Sequence, residues 1–169
     1  MIRKAKYHDV EFIQNLIRTF SETGQVLFRS LDEIRENIPD FLVYEKNDQI
    51  VGVCSLRRGW GRLVELRSLG VDPRYSGQGI GTKMVEASLK NALSTGCDTL
   101  FVLTYTVSMF ERLGFSIIDK EKLPHKVWND CTACLHRDNC DENAMVLSLI
   151  SFRKKHSVKM VSPAIVNVG

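Results

Sequence analysis

The stretch VDPRYSGQGIGTKM, Val71 to Met84, joins a strand-like run to a helix-like run and decides the fold. It places Gly77, Gly79 and Gly81 directly before residues with helical spacing. Glycines let another molecule approach the backbone closely, and the start of a helix offers unpaired N–H groups at the positive end of its dipole. The stretch is therefore a candidate phosphate-binding turn.

Two common phosphate motifs do not fit this turn. A P-loop ends in Gly-Lys-Ser/Thr, whereas here Gly81 is followed by Thr82 and then by Lys83. A dinucleotide-binding fingerprint has its last glycine one residue later than Gly81 and belongs to the first strand of a βαβ unit. The spacing argues against an ATPase and against a dinucleotide-binding enzyme.

The composition is that of one globular domain. The chain has 169 residues, of which 44% are hydrophobic and 25% are charged, and its net charge of +3 is too small to indicate nucleic acid. No apolar run approaches the ~18 residues of a spanning helix, and MIRKAKYHDV lacks the apolar core of a signal peptide. We therefore expect a soluble, cytoplasmic protein that binds neither nucleic acid nor membranes.

Upstream of the turn, the pattern predicts a strand, two helices and a three-stranded meander. Asp9 is placed to cap the first helix, and Ser30 with Glu33 forms a capping box for a short second helix that ends before Pro39. The runs DFLVYEK, QIVGVCSLRRG and RLVELRSLGVD are rich in β-formers and are separated by ND and WG. The expected apolar positions of the first helix are Val10, Phe12, Ile13, Leu16, Ile17 and Phe20.

Downstream of the turn, a long helix is expected to stop at Gly96, followed by a strand CDTLFVLTY, a short helix SMFERL and strands FSIID and AMVLSLISF. Together the elements predict a single α/β (α+β) domain with a mixed, mostly antiparallel sheet flanked by helices. We place this domain at residues 1–152. The tail, 153–169, is basic and then apolar, so it packs on the domain, packs on a partner or is frayed.

A polar, Cys-containing insertion at 120–142 is the least regular part of the domain. Cys131, Cys134 and Cys140 begin like a zinc knuckle, but a structural zinc site needs four ligands, so His125 or His136 would have to complete it. Three reduced thiols that pack as small hydrophobes are the alternative. We expect the second case, with no stoichiometric zinc in the purified, reduced protein.

The strand ending in LGVDP, the turn RYSGQGIG and the later FERLGF resemble the GNAT superfamily of acetyl-CoA-dependent N-acetyltransferases. The resemblance implies acetyl-CoA as co-substrate, with its pyrophosphate bound by the turn; a glycine-rich helix start without a ligand is the alternative. Ser76 departs from the family's Arg or Gln, so one phosphate contact is weaker or comes from Arg74. The implied cofactor-binding residues of the turn are Ser76, Gly77, Gln78, Gly79, Ile80, Gly81 and Thr82.

The stretches VELRSLGVDP, LFVLTYTVSMFERLGF and LPHKVW are similar to the acetyltransferase domain of bacterial N-acetylglutamate synthases, closest to the short ones without a kinase domain. This resemblance implies acetyl transfer to the amine of L-glutamate, the entry step of arginine biosynthesis, without arginine feedback through a kinase domain. It leaves room for a homodimer. The alternatives are a GNAT enzyme for another amino acid or small amine, and a non-catalytic coenzyme-A-binding module.

The resemblance also assigns roles in the chemistry. Glu65 stands at the position of the general base; a surface carboxylate paired with Arg62 or Arg67 is the alternative. The backbone N–H groups of Leu69, Gly70 and Val71 are expected to bind the thioester carbonyl and the pantetheine. Donors for the departing thiolate are Thr104 or Tyr105, since Phe110 replaces the usual Tyr and packs on the pantetheine or the helix.

Cations are required for the two carboxylates of the acceptor. Arg29 matches a family position beside the substrate, and Arg67 and Lys126 are further candidates, each with a solvated surface cation as the alternative. Strand alternation in LVELRSL predicts that Glu65, Arg67 and Leu69 share one face.

Overall fold

The computed structural model describes residues 1–134 and 140–160, apart from the side chains at 126, 130, 132, 133 and 157–160. Five α-helices are present in this part: α1 (Val10–Ser21), α2 (Leu31–Glu36), α3 (Ile80–Leu93), α4 (Val107–Arg112) and α5 (Leu149–Met160). The strands are β1 (Ile2–Lys4), β2 (Phe41–Lys46), β3 (Gln49–Trp60), β4 (Leu63–Val71), β5 (Thr99–Thr104), β6 (Ser116–Ile118) and β7 (Asn143–Ser148).

One sheet contains all of these strands, in the order β1-β2-β3-β4-β5-β7-β6. Among the described strands, β4 and β5 form the parallel pair and every other neighbouring pair is antiparallel. The parallel pairing extends from Leu63–Glu65 to Thr99–Phe101 and stops there, so the two strands separate beyond Glu65. The predicted single domain with a mixed, mostly antiparallel sheet is confirmed, and the gap between β4 and β5 is where a ligand can enter.

Helices cover both faces of the sheet. Ile13 and Ile17 of α1 and Ile34 of α2 pack on one face, while Met84 and Leu89 of α3 pack on the other. A third apolar cluster brings the insertion onto the α1 side of the sheet: it consists of Phe101, Leu123, Val127 and Ala144, with Trp60 edge-on to Phe101 at 5.5 Å. No helix in the described ranges combines the length and apolarity needed to cross a membrane.

The start of α1 differs from the expectation, whereas that of α2 agrees with it. Ser30 Oγ accepts from the N–H of Glu33 at 3.1 Å, as the capping box predicts. Asp9 does not cap α1; its carboxylate accepts from the N–H of Lys6 at 2.7 Å and pairs with Arg3 at 2.7 Å, because β1 brings that arginine alongside. Phe12 is 63% exposed and is not a core residue.

Two strand ends lie elsewhere than the sequence pattern predicted, those of β3 and β7. β3 continues through Trp60, so the turn to β4 begins at Gly61 rather than within WG. The last strand ends at Ser148, whose hydroxyl accepts from the N–H of Ser151 at 3.3 Å and so starts α5.

Helix α5 packs on the domain through Arg153, which donates to the carbonyl of Leu93 at 2.7 Å and to that of Cys97 at 3.3 Å. The predicted division after residue 152 falls within this helix. Residues 161–169 lie outside the described part, and the domain boundaries stay a prediction.

Candidate active site

A cavity of about 1020 Å³ lies where β4 and β5 separate. Its walls are β4, the turn after it, the end of β5, helix α4 and the insertion. It gathers nearly all of the predicted site residues, namely Arg29, Glu65, Arg67, Leu69, Gly70, Val71, Ser76, Gly77, Gly79, Ile80, Gly81, Thr82, Thr104, Tyr105 and Phe110. Gln78 is not among the lining residues, and the side chain of Lys126 lies outside the described part, on the 3-10 helix His125–Ala133.

The glycine turn has the geometry of an anion cradle. Gly77 and Gly79 have φ values of +74° and +73°, which side chains rarely allow, and a Cβ built on either would meet no atom within 4 Å. Helix α3 then starts at Ile80 without a hydrogen bond from a side-chain cap in the described part of the chain. Open space, unblocked N–H groups and a helix dipole together fit the pyrophosphate of coenzyme A.

The side chains beside this turn are already engaged with one another. Arg74 binds Asp72 at 2.7 Å, and this contact holds the pKa of the Asp72 carboxyl below its usual value. Gln78 Oε1 accepts from Lys46 Nζ at 2.8 Å in an exposed contact. Lys46 is thus a further cation near the phosphate position, one that the sequence pattern did not indicate.

A β-bulge at Ser68 changes the facing of β4. The register with β3 shifts between Val53 and Ser55, and Ser68 has a left-handed φ of +54°. Leu69 therefore packs against the core on the α3 side and does not share a face with Glu65 and Arg67, so this part of the alternation argument was wrong.

The backbone at Gly70 lies directly against helix α1. A Cβ at Gly70 would come within 2.8 Å of the ring of Phe20, so a larger residue has no room there. Phe20 itself lines the cavity. Close packing by Phe20 fixes the stretch of β4 whose N–H groups are expected to bind the thioester and pantetheine.

Glu65 is enclosed rather than on the surface. It is 9% exposed and lies opposite Phe101 of β5 and Arg57 of β3. Arg62, one of its expected alternative partners, instead binds Asp98 at 2.7 Å, and Arg67 Nη1 is 3.9 Å from Glu65 Oε2. A carboxylate enclosed at the edge of a cavity has the placement that a general base requires.

Two arginines meet beside Glu65. Arg29 Nη1 lies 2.9 Å and Arg67 Nη2 lies 3.3 Å from the same oxygen of Glu33, which comes from α2. Both arginines line the cavity, and Arg29 is buried in its wall. The carboxylate between the two guanidinium groups is thus that of Glu33, which is not itself a lining residue of the cavity.

Two hydroxyl groups lie at the end of β5. Thr104 Oγ1 accepts from the N–H of Thr106 at 2.9 Å, which leaves its own proton available for donation into the cavity. Partial burial raises the pKa of Tyr105 well above its usual value, and the nearby carboxylates of Glu142 and Asp141 raise it further. Tyr105 therefore keeps its proton, which it donates to the Asp141 carboxylate.

Phe110 belongs to the core on the α3 side. Its ring is edge-on to Phe115 at 5.1 Å, and it is nearly fully buried while touching the cavity. Of the two predicted roles, packing against the helix is the one whose contacts are present, and contact with pantetheine stays a prediction.

The insertion forms the remaining wall of the cavity. Val127, Trp128 and the three insertion cysteines line it, and Lys120 Nζ lies 3.4 Å from Cys140 Sγ. None of the five cysteines, all of which the structure describes, forms a disulfide. No group of three or more metal-ligating side chains occurs within the described ranges, His136 lies outside them, and the zinc content stays a prediction for elemental analysis.

Besides Lys46, the sequence patterns missed other residues of this site, among them Phe20, Glu33, Ser68 and Trp128. Phe20 appeared as a core position and Glu33 as a capping residue, while Ser68 and Trp128 stood in the resemblance stretches without an assigned role. Phe20, Glu33 and Trp128 come from elements distant in sequence, and Ser68 lines the cavity at a bulge in β4, so no local pattern could identify them.

Comparison with known proteins assigns the chain to a family. Residues 9–115 match the acetyltransferase (GNAT) family. An N-acetyltransferase of Chlorobaculum tepidum, itself uncharacterised, is 36% identical over 148 residues, 88% of this chain and 96% of that protein. The amino-acid acetyltransferase of Mycobacterium tuberculosis is 31% identical over 134 residues, 77% of this chain and 76% of that protein.

A solved structure shows the same architecture. The N-acetylglutamate synthase of Neisseria gonorrhoeae, complexed with coenzyme A and N-acetyl-glutamate, superposes with a TM-score of 0.78 at 25% identity. The match covers 88% of this chain and 35% of the Neisseria chain. The chain described here belongs to the acetyltransferase (GNAT) family and is an acetyl-CoA-dependent N-acetyltransferase.

Proposed function

We propose that this enzyme transfers the acetyl group of acetyl-CoA to the amine of L-glutamate, as an N-acetylglutamate synthase of arginine biosynthesis. The observation that carries the proposal is that two cavity-lining arginines, Arg29 and Arg67, converge on one oxygen of Glu33, with Arg67 also 3.9 Å from Glu65. An acceptor with carboxylates needs such cations, and bidentate arginine fixes a carboxylate in one orientation. A simple alkylamine would gain nothing from this pair.

Each residue then has a defined task. Acetyl-CoA supplies an activated acetyl thioester, with its phosphates on the N–H groups of the turn from Gly77 to Thr82. Glu65 removes the proton from the acceptor amine, directly or through a water. The N–H groups of Leu69, Gly70 and Val71 polarise the thioester carbonyl.

Departure of the thiolate needs only a weak donor. A thiol has a pKa of about 8.5, so it leaves as the anion more readily than an alkoxide does. Thr104, with its own acceptor site already used by Thr106, donates to that sulfur. Tyr105 is the second candidate donor at this position, and it must first release its hydrogen bond to Asp141.

The relatives support an amino-acid acceptor. The Mycobacterium tuberculosis relative is an amino-acid acetyltransferase, and the Neisseria gonorrhoeae enzyme was solved with N-acetyl-glutamate. The match covers only 35% of the Neisseria chain. The comparison of activities is therefore limited to the part of that enzyme that this chain matches. A cytoplasmic location and a homodimer remain expectations of the same proposal.

Kinetics with a panel of acceptors test the proposal. We expect L-glutamate to give the highest kcat/KM among L-glutamate, L-glutamine, L-alanine and a polyamine. Arg29→Ala should raise the KM for L-glutamate by roughly 10-fold or more with little change in coenzyme A binding, because one carboxylate contact is lost. The matched control is Arg35→Ala, which removes an exposed arginine of the same helix region that pairs with Asp32.

Two results would contradict the proposal. A higher kcat/KM for a substrate without a second carboxylate would assign the enzyme to another amine. An unchanged KM for L-glutamate in Arg29→Ala would remove the arginine pair from the acceptor site.

A further inference from the structure

Ser68 combines three unusual features at one position. Its backbone has a left-handed φ of +54° inside strand β4, its side chain is 7% exposed, and it lines the cavity. Its Oγ is buried without a hydrogen-bond partner among the described residues. A buried hydroxyl without a partner loses its hydration and gains nothing in return.

Neither the left-handed backbone inside a strand nor the unpaired buried hydroxyl recurs among the described residues. The other left-handed residues that are not glycine, Asn47 and Asp48, form the exposed β2–β3 hairpin turn, where such angles are normal. The other buried hydroxyls have partners: Ser55 bonds to the carbonyl of Arg67, Ser88 to Cys54 and Thr104 to Thr106. Glycine at position 68 would remove both the backbone strain and the unsatisfied hydroxyl.

Strain and an unpaired polar group at one cavity residue are the marks of a functional contact rather than of folding. Ser68 lies three positions beyond Glu65, the last residue at which β4 pairs with β5, so β5 does not cover it. On one side are Glu65 and Arg67, expected to face the acceptor, and on the other are the N–H groups of Leu69 to Val71, expected to face the thioester. The hydroxyl therefore stands at the junction of the two substrates.

We propose that the Ser68 hydroxyl is a substrate contact, donating a hydrogen bond to an oxygen at the reacting ends of the two substrates. That oxygen belongs either to the acetyl thioester or to a carboxylate of the acceptor, and both accept a hydroxyl proton in the same way. The second source rests on the proposed function, whereas the first depends only on acetyl-CoA as co-substrate.

Ser68→Gly and Ser68→Ala test the proposal as a pair. Both remove the hydroxyl, but glycine relieves the left-handed strain and alanine retains it. We expect Ser68→Gly to melt at or above the wild-type temperature. Both variants should lose roughly 10-fold or more in kcat/KM, since a hydrogen bond to the reacting group is absent.

The substrate that Ser68 binds follows from which constant changes. A rise in the calorimetric Kd for acetyl-CoA, or in its KM, assigns the hydroxyl to the thioester, and a rise in the acceptor KM assigns it to the acceptor. The control is Ser88→Ala, a buried serine in the core outside the cavity, which should leave kcat/KM near the wild-type value. If L-glutamate proves not to be the acceptor, wild type and variants fail on it alike, and the comparison proceeds with the amine that the enzyme acetylates.

A fall of less than roughly 10-fold in kcat/KM for Ser68→Gly would overturn the proposal. So would a loss confined to one of the two variants, because that would trace the effect to the backbone rather than to the hydroxyl.

Discussion

Glu65 occupies the last position at which β4 still pairs with β5. Its backbone is therefore held on both sides by neighbouring strands, while its side chain reaches the cavity that opens one residue later. A rigid backbone with a carboxylate at a cavity edge is the arrangement in which a base keeps a fixed distance to its substrate. The task assigned to Glu65 thus rests on where the strands part as much as on the residue type.

We expect Glu65→Gln to lower kcat by ~100-fold or more near neutral pH, because the amide cannot accept the proton of the acceptor amine. Affinity for coenzyme A should stay nearly intact, since the glycine turn is untouched, and calorimetry measures it. Glu86→Gln, on the exposed face of α3, is the matched control and should be neutral. An unchanged pH–rate profile in Glu65→Gln would exclude Glu65 as the base.

The turn and the helix that follows it form the expected coenzyme A site. Gly79 ends the turn with a left-handed φ, and the first N–H groups of α3 follow directly. Because φ at Gly79 is positive, any side chain there either shifts the backbone or projects into the space the phosphates need.

Gly79→Val should therefore abolish detectable coenzyme A binding in calorimetry. The matched control is Gly61→Val in the β3–β4 turn, where φ is +67° and a Cβ likewise meets no atom within 4 Å. That variant should lose stability through the same backbone strain but keep coenzyme A binding. Equal binding by wild type and Gly79→Val would show that the site lies elsewhere.

The cysteines of the insertion are more exposed to solvent than those of the rest of the domain, so their thiols should react faster. Cys54 lies in the core beside Ser88, and complete burial raises its pKa to about 12. Cys97 is buried as well, whereas Cys131, Cys134 and Cys140 lie partly exposed along the cavity.

Iodoacetamide should consequently modify the insertion thiols of the native, reduced protein well before it reaches Cys54 and Cys97. Peptide mass spectrometry after timed labelling measures the order. Unfolding in guanidinium is the control, because all five thiols should then react at similar rates. Early labelling of Cys54 would contradict the packing of α3 on β3.

A partly buried ion pair near the N-terminus connects the first strand to the rest of the domain. Arg3 of β1 binds Asp9 at 2.7 Å and also contacts Glu45 of β2, so it joins the first strand to the start of α1. The hydrogen bond from Arg3, together with that from the Lys6 N–H, lowers the pKa of Asp9 below its ordinary value of 3.8, against the opposing effect of burial.

The sign of the pH effect follows from this lowered pKa. An Asp that is more acidic in the folded state stabilises the fold above its unfolded pKa, and this contribution is lost as the pH falls through the folded value. Asp9→Asn should reduce the free energy of unfolding at neutral pH by about 2 kcal/mol and make stability less sensitive to acid. Urea titrations from neutral to acidic pH measure both, and parallel curves for wild type and variant would exclude the linkage.

Periodic features of the fold followed from local patterns. The capping box at Ser30, the apolar stripe of α3 and the glycine turn are each set by contacts within a few residues. The start of α5 was missed because the apolar run AMVLSLISF is compatible with both a strand and a helix, and the hydrogen bond to Ser148 decides between them.

The sequence alone determined that the chain forms a mixed sheet flanked by helices, and it predicted a phosphate-binding turn, because helix periodicity, strand alternation and glycine spacing are local properties. Only the tertiary structure decided how the site is built. The bulge at Ser68 reverses the facing of β4, Phe20 closes on Gly70 from α1, and the two arginines meet through Glu33. These contacts join segments far apart in the chain, and their geometry depends on how far β4 and β5 separate, which side-chain packing across the whole sheet sets.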